Sequence, residues 1–243
     1  MITLLINAIK IIFLLGFLVL IHEGGHFIVA KLCKVRVNEF AIGFGKKIYS
    51  KKIGETVYEL RLIPLGGFVS MEGEEHHSDN EGSFNLASYP KKIAIVMAGG
   101  ITNIIFGLIL YFILILYISD FSGAIASTTK FISLTIESVK NIFTGNIVTE
   151  QLVGPVGISS LVAKTGDILN YLYLLSVISL SLGVTNLLPV PPLDGGKVVI
   201  YLIEWIIRKP ISENIQLKIQ SIGFALIMIL SIYVMYSDII KLF

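Results

Sequence analysis

The sequence predicts an all-α polytopic membrane protein with about four transmembrane helices and a small membrane-associated β-hairpin or sheet in the first loop. Three observations predict it. Of 243 residues, 54% are hydrophobic and only 15% charged, against about 25% charged in soluble domains. The apolar residues come in runs long enough to cross hydrocarbon, which takes about 20 residues. Between the first two runs, alternating polar and apolar residues replace unbroken apolarity.

The first run spans about 2–32 and is interrupted by Lys10, His22, Glu23 and His26. It lacks a basic start and a small-residue cleavage site and is longer than a signal peptide's apolar core, so it reads as a retained helix. The loop after it, about 36–72, reads as β structure. Tyr58, Leu60 and Leu62 alternate with Glu59 and Arg61, a strand period. Gly54 separates this stretch from Ile48-Tyr49, which predicts a hairpin. Gly43-Phe44-Gly45 and Leu65-Gly66-Gly67-Phe68 predict tight backbone or bulges. Past Met71 the chain turns polar at Glu72, Glu74, Glu75 and Asp79, a solvated loop.

The second run covers about 93–118. The connection that follows, about 119–168, is mildly apolar and too polar to span, and is expected at the outer surface. The third run covers about 169–188 and the fourth about 222–242. Between them, 198–207 is apolar but short, bounded by Gly196 and Pro210, and reads as an interfacial helix. No repeat divides the chain, so 1–243 reads as one membrane-embedded domain.

Most of the 19 Lys and Arg fall in the first loop, with its edges, and in the connection between the third and fourth runs. The positive-inside rule makes those loops cytoplasmic and puts both termini outside a cell membrane. A net charge of +2 gives no argument for a nucleic-acid partner. The single cysteine, Cys33, excludes an internal disulfide framework.

His22-Glu23-Gly24-Gly25-His26 lies near the end of the first run. Positions i and i+4 share a helix face, so both imidazoles can reach one cation. Glu23 is placed to act as base toward a metal-activated water. Ionisable groups inside a spanning helix are costly and point to function. The bland alternative is hydrogen bonding between helices. A catalytic zinc takes three protein ligands. His76 and His77 read as solvated loop residues. Asp194 is the stronger third ligand, in Asn186-Leu187-Leu188-Pro189-Val190-Pro191-Pro192-Leu193-Asp194-Gly195-Gly196. The prolines end the third helix and force extended backbone, and the glycines allow unusual dihedrals. Irregular backbone at membrane depth must be buried in protein or line a cavity. Without the histidine pair, Asp194 would read as a turn residue or helix cap.

These motifs resemble those of the site-two protease family, close to its bacterial regulator-of-sigma-E-protease subgroup, the RIP metalloproteases. The family shares HExxH in the first helix and NxxPxPxxDGG at the third, here His22 to His26 and Asn186 to Gly196. The similarity extends to Gly43-Phe44-Gly45, Pro64-Leu65-Gly66-Gly67-Phe68, Ala98-Gly99 with Asn103, and Gly154-Pro155-Val156-Gly157. The resemblance implies zinc ligands His22, His26 and Asp194 and catalytic glutamate Glu23. It also implies substrate contacts at Asn186 and at the strand Phe68, Val69, Ser70. From chemistry alone Asn186 could equally be an interhelical hydrogen-bond partner; Asn103 reads as interhelical glue. One feature departs from the subgroup: the connection 119–168 is too short for its PDZ domains.

The expected function is hydrolysis of peptide bonds in transmembrane segments by a zinc protease. The expected partners are the lipid bilayer and single-pass proteins or signal-peptide remnants. A non-catalytic zinc-binding sensor or scaffold keeps the ligands but gives Glu23 no task. A transporter would need further polar residues along a path; the second and fourth runs offer few, and Asn103 and Asp238 are isolated. A protease for soluble peptides would hold its motifs in an aqueous chamber rather than among apolar helices.

Overall fold

The computed structural model describes residues 2–74, 76–145 and 153–240. In chain order the elements are α1 (Ile2–Leu32), β1 (Val37–Ile53), β2 (Thr56–Met71), a 3-10 turn (Phe84–Leu86), α2 (Tyr89–Ile118), α3 (Phe121–Thr144), α4 (Pro155–Lys164), α5 (Ile168–Asn186), α6 (Asp194–Ile207) and α7 (Glu213–Ile240). Four helices, α1, α2, α5 and α7, are long and apolar enough to cross a membrane. Their large side chains, such as Leu5, Phe13, Ile109 and Leu226, stay exposed. Such a surface is stable only against lipid, and a helix satisfies its own backbone there.

The helices match the four hydropathic runs, with shifted ends. Helix α7 begins at Glu213, earlier than its apolar run, because Glu213, Gln216 and Lys218 are good helix formers although too polar for hydrocarbon. Helix α5 stops at Asn186 because Pro189 cannot continue it. Glu75, the segment 146–152 of the outer connection and the end of the fourth run at Lys241-Leu242 lie outside the described residues.

The connection after α2 folds into more helix than its composition suggests. Asp120 caps α3 by accepting a 2.9 Å hydrogen bond from Gly123 N, and Gly145 closes it in the left-handed region. The Thr- and Ile-rich composition of α3 disguises a helix, since β-branched residues lower helix propensity.

By contact the chain forms two compact units, one of 1–104 with 179–225, the other of 105–178 with 226–243. In the first, β1 and β2 are long antiparallel strands bent on themselves. Residues 37–42 pair with 57–60 on one side and with 67–71 on the other, while 49–53 pair with 56–60. The hairpin at Gly54 therefore forms as expected, and Gly43 and Gly45 take positive φ of 89° and 81° where the register shifts. In this arrangement segment 67–71 is an edge, paired among the described residues of the sheet only with 37–42. Glu59 sits buried within the sheet. Burial alone would raise its carboxyl, but hydrogen bonds from Lys47 and Arg61 hold it below the usual range. The core packs Ala30, Val35, Val37 and Met71 against Phe84, Ile95 and Val96.

Close helix crossings rest on glycines. A Cβ on Gly25 would lie 2.5 Å from Ala98 O, and one on Gly100 would lie 2.9 Å from Gly183 O. Gly24, by contrast, faces open space. Asn103 bridges helices through its main chain: Ser179 Oγ donates to its carbonyl at 2.8 Å. Its buried side-chain amide makes no hydrogen bond to the described residues.

In the second unit, Tyr111 stacks on Phe131 at 4.4 Å between ring centres. Asp238 is not isolated. Its Oδ2 accepts from Gly154 N at 3.0 Å and Gly157 N at 2.8 Å, capping α4 from α7. Replacing it, Asp238→Ala, leaves two N–H groups without their acceptor and should cost about 1–3 kcal/mol. A lowered thermal midpoint in detergent is the expected reading, and an unchanged midpoint would refute the capping role.

Candidate metal centre

Helix α1 places His22 and His26 one turn apart, with ring centres 4.8 Å apart and edge to face. Their Nε2 atoms are 3.2 Å apart. His26 Nδ1 lies 2.8 Å from the Ile95 carbonyl oxygen and donates to it, which leaves the Nε2 lone pair free to bind a cation. His22 Nδ1 is buried without a hydrogen-bond partner among the described residues.

Asp194 comes to this pair from far along the chain. It is the first residue of α6, so that helix starts at Asp194 rather than at Val198 as the sequence suggested. Gly195 and Gly196 are helical, not unusual in dihedral. They are needed for room: a Cβ on Gly195 would lie 2.5 Å from the Leu187 carbonyl carbon, and one on Gly196 2.7 Å from Pro191 N. The proline turn folds back against the helix start so tightly that a side chain has no place there.

Asp194 Oδ2 lies 3.1 Å from His22 Nε2 and 3.4 Å from His26 Nε2, and all three side chains are under a fifth exposed. A tetrahedral ion with ligand bonds near 2.0–2.1 Å has ligand-to-ligand edges of about 3.3 Å. The three mutual separations match that edge. Two neutral imidazoles and one carboxylate are also a donor set that suits zinc. The residues therefore fit the metal that the motif calls for.

Two glycines bring other elements onto the trio. A Cβ on Gly99 of α2 would lie 2.7 Å from His26 Cε1 and 2.8 Å from His22 Cε1. No local chemistry in the sequence accounts for Gly99; the reason is a contact between helices, visible only in three dimensions. A Cβ on Gly67 of β2 would lie 3.3 Å from Glu23 Cγ. Its strand thus runs directly beside the candidate base.

A cleft of about 1050 Å³ opens from the trio, lined by Glu23 and by Phe68, Val69 and Ser70 of the edge segment. The structure thus gathers His22, Glu23, His26, Asp194 and the three strand residues around one space. Asn186 is not among the residues lining it; the side chain is half-buried at the end of α5 and makes no hydrogen bond to the described residues. His76 and His77 are exposed, as expected of loop residues, but both also line this cleft, where His77 bonds to Asp79 and Asn85.

The cleft also holds Glu74, which the sequence reading places in a solvated loop but whose side chain is only 19% exposed, and Lys197, which that reading does not single out, 3.1 Å apart. Burial alone would lower the Lys197 ammonium, but the Glu74 carboxylate beside it keeps it above its ordinary value. Once α6 is known to start at Asp194, Lys197 falls three positions on, along the same helix face. Burial pushes the neighbouring Tyr201 hydroxyl up to about 12.

Apolar helices of spanning length, with a histidine pair, a carboxylate and Glu23 around one cleft, are the arrangement of a membrane metalloprotease. The chain belongs to peptidase family M50, whose sequence model matches residues 10–230. It is therefore a multi-pass membrane protein of that family. A protein of Clostridium acetobutylicum is 29% identical over 330 aligned positions, covering 96% of this chain and 97% of that relative. One of Clostridium perfringens is 30% identical over 92% of this chain and 95% of its own length. One of Neisseria meningitidis serogroup A is 45% identical over 41% of this chain and 23% of its own. Each is named "Putative zinc metalloprotease". The first alignment exceeds this chain's 243 residues, so that relative holds sequence with no counterpart here.

Gly24 of α1 and Gly99 of α2 separate packing from mere presence in a motif. Gly99→Ala should reduce zinc affinity at least tenfold, because its methyl enters the space of both imidazoles, whereas Gly24→Ala should leave affinity within about twofold. Zinc titration of both purified variants decides this; equal affinities would refute the contact.

Proposed function

We propose that this protein is an intramembrane zinc protease that hydrolyses peptide bonds within transmembrane segments of other proteins. The observation that carries this reading is the convergence of His22 Nε2, His26 Nε2 and Asp194 Oδ2, at separations of 3.1–3.4 Å, on a helix apolar enough to span a bilayer. His22, His26 and Asp194 would hold the ion. A bound zinc supplies a Lewis acid that polarises the scissile carbonyl and makes a water acidic near neutral pH.

Glu23 follows His22 directly and faces the cleft. Its carboxylate takes the proton from the attacking water and passes it to the leaving amine. The His26 Nδ1–Ile95 bond fixes the ring so that Nε2 stays turned toward Asp194. The Asn186 amide is assigned to the substrate backbone or the developing oxyanion. Since Asn186 does not line the cleft, that role requires the α5 end to move toward the trio when substrate binds.

A helical substrate hides its carbonyls in hydrogen bonds and must unwind before attack. Freed backbone groups cannot stay unpaired in lipid. The edge segment with Phe68, Val69 and Ser70 offers unpaired strand groups beside Glu23 and can take the substrate as an added strand. Suitable substrates are single-pass membrane proteins or leftover signal peptides. The first loop, rich in Lys and Arg, faces the cytoplasm and both termini face outward, in a cell membrane.

Glu23→Gln should reduce cleavage at least a hundredfold while zinc content stays at one ion per chain. Proteomics of membrane peptides in cells carrying wild-type or Glu23→Gln protein reads the loss directly and names the substrates that accumulate. Equal peptide profiles would contradict the assignment of Glu23 and of the activity.

A further inference from the structure

We propose that the Glu74–Lys197 ion pair is a register stop: it sets which peptide bond of the substrate strand reaches Glu23, by meeting the point where the substrate's apolar segment turns polar. The inference rests on the proteolytic reading above and concerns residues that reading does not use.

An edge strand fixes backbone pairing but does not fix register. The side-chain pattern repeats every two residues, and a uniformly apolar transmembrane segment offers many equivalent pairings. A protease that pairs its substrate to the edge at 67–71 therefore needs a second marker. The pair stands where such a marker must be. Glu74 follows the end of β2 at Met71, and Lys197 follows Asp194 on α6. Their 3.1 Å contact ties the far end of the edge strand to the helix that carries the third metal-site residue.

The surroundings make this contact a fixed point. Glu74 N donates to Met71 O at 3.2 Å across the turn at Gly73, whose φ is +74°. The preceding Glu72 accepts from Asn38 at 2.9 Å, Ser78 at 2.6 Å and Asn80 at 3.0 Å, and these hydrogen bonds hold its carboxyl down at about 2. The loop is thus pinned to β1 and to its own far side. The Lys197 and Glu74 side chains are only 34% and 19% exposed and line the same cleft as the metal trio.

An apolar substrate side chain pressed against this pair would strip the remaining water from two charges, which is costly. A polar side chain, or a chain leaving for solvent, meets no such penalty. The pair carries no net charge, so it reads polarity and not sign. Gly67 lies beside Glu23, and the strand continues from there to Met71 at about 3.3 Å per residue. The stop therefore holds the scissile bond at a constant offset inside the apolar segment, counted from its polar boundary.

The test uses the full chain in liposomes and a single-pass model substrate. Its apolar segment is about 20 Leu and Ala residues broken by one Gly-Pro pair, with a Ser- and Asn-rich tail on the side of the 36–72 loop. The boundary between segment and tail is moved by one, two or three residues, and products are read by mass spectrometry. In the wild type the cut should move with the boundary at a constant offset. In Glu74→Gln/Lys197→Met the share of the main product should fall at least threefold, with cuts spread over neighbouring bonds. The charge-reversed Glu74→Lys/Lys197→Glu should restore one offset, which a purely destabilising change would not do. Zinc content, measured on each variant, separates lost register from a lost metal site. A wild-type cut that ignores the boundary, or a neutralised variant that keeps the wild-type bond, overturns the register stop. Products that persist with Glu23→Gln overturn the proteolytic reading beneath it.

Discussion

The structure depends on one convergence: two imidazole nitrogens from α1 and one carboxylate oxygen from α6 meet within 3.4 Å of one another among apolar helices. Three buried polar groups gathered in this way are unfavourable unless something compensates them. A divalent cation would do so at the spacing observed. Much of the surrounding geometry serves to bring these atoms together without interposed side chains. Gly25 lets α1 approach α2, Gly99 lies directly against both imidazoles, and Gly195 and Gly196 let the proline turn fold onto the start of α6. The glycines matter here for the volume they do not occupy, not for dihedral freedom.

The same convergence explains why the sheet belongs to the site. Gly67 brings β2 against Glu23, so the edge segment, the base and the metal trio share one cleft. A helix end alone could hold a metal but could not hold an extended peptide. In the proposed reaction the edge would supply backbone partners for a substrate that has lost its own, and the pinned Glu72–Glu74 loop contacts Lys197 past the end of that edge.

What could be read in advance was what is local in sequence. The spanning helices follow from apolar run length, the hairpin from alternation and Gly54, and the histidine pair from its i, i+4 spacing. Contacts between distant segments were not legible. Nothing in the neighbourhood of Gly99 announces that two imidazoles pack on it, and nothing near Lys197 announces Glu74. The start of α6 was missed because two glycines after prolines look like loop, although the turn packs them into a helix. Asn103 looked like a side-chain bridge, yet the bridge uses its carbonyl. Asp238 looked solitary because its partners, Gly154 and Gly157, are backbone amides that no residue pattern reveals.

The most direct test of the central claim is X-ray absorption at the zinc edge, on the purified chain and on its Asp194→Ala and His22→Ala variants. The account predicts one zinc per chain with nitrogen and oxygen neighbours at about 2.0–2.2 Å and no sulfur, and loss of that signal in both variants. Zinc bound equally well by wild type and by either variant, or a shell containing the Cys33 sulfur, would contradict it.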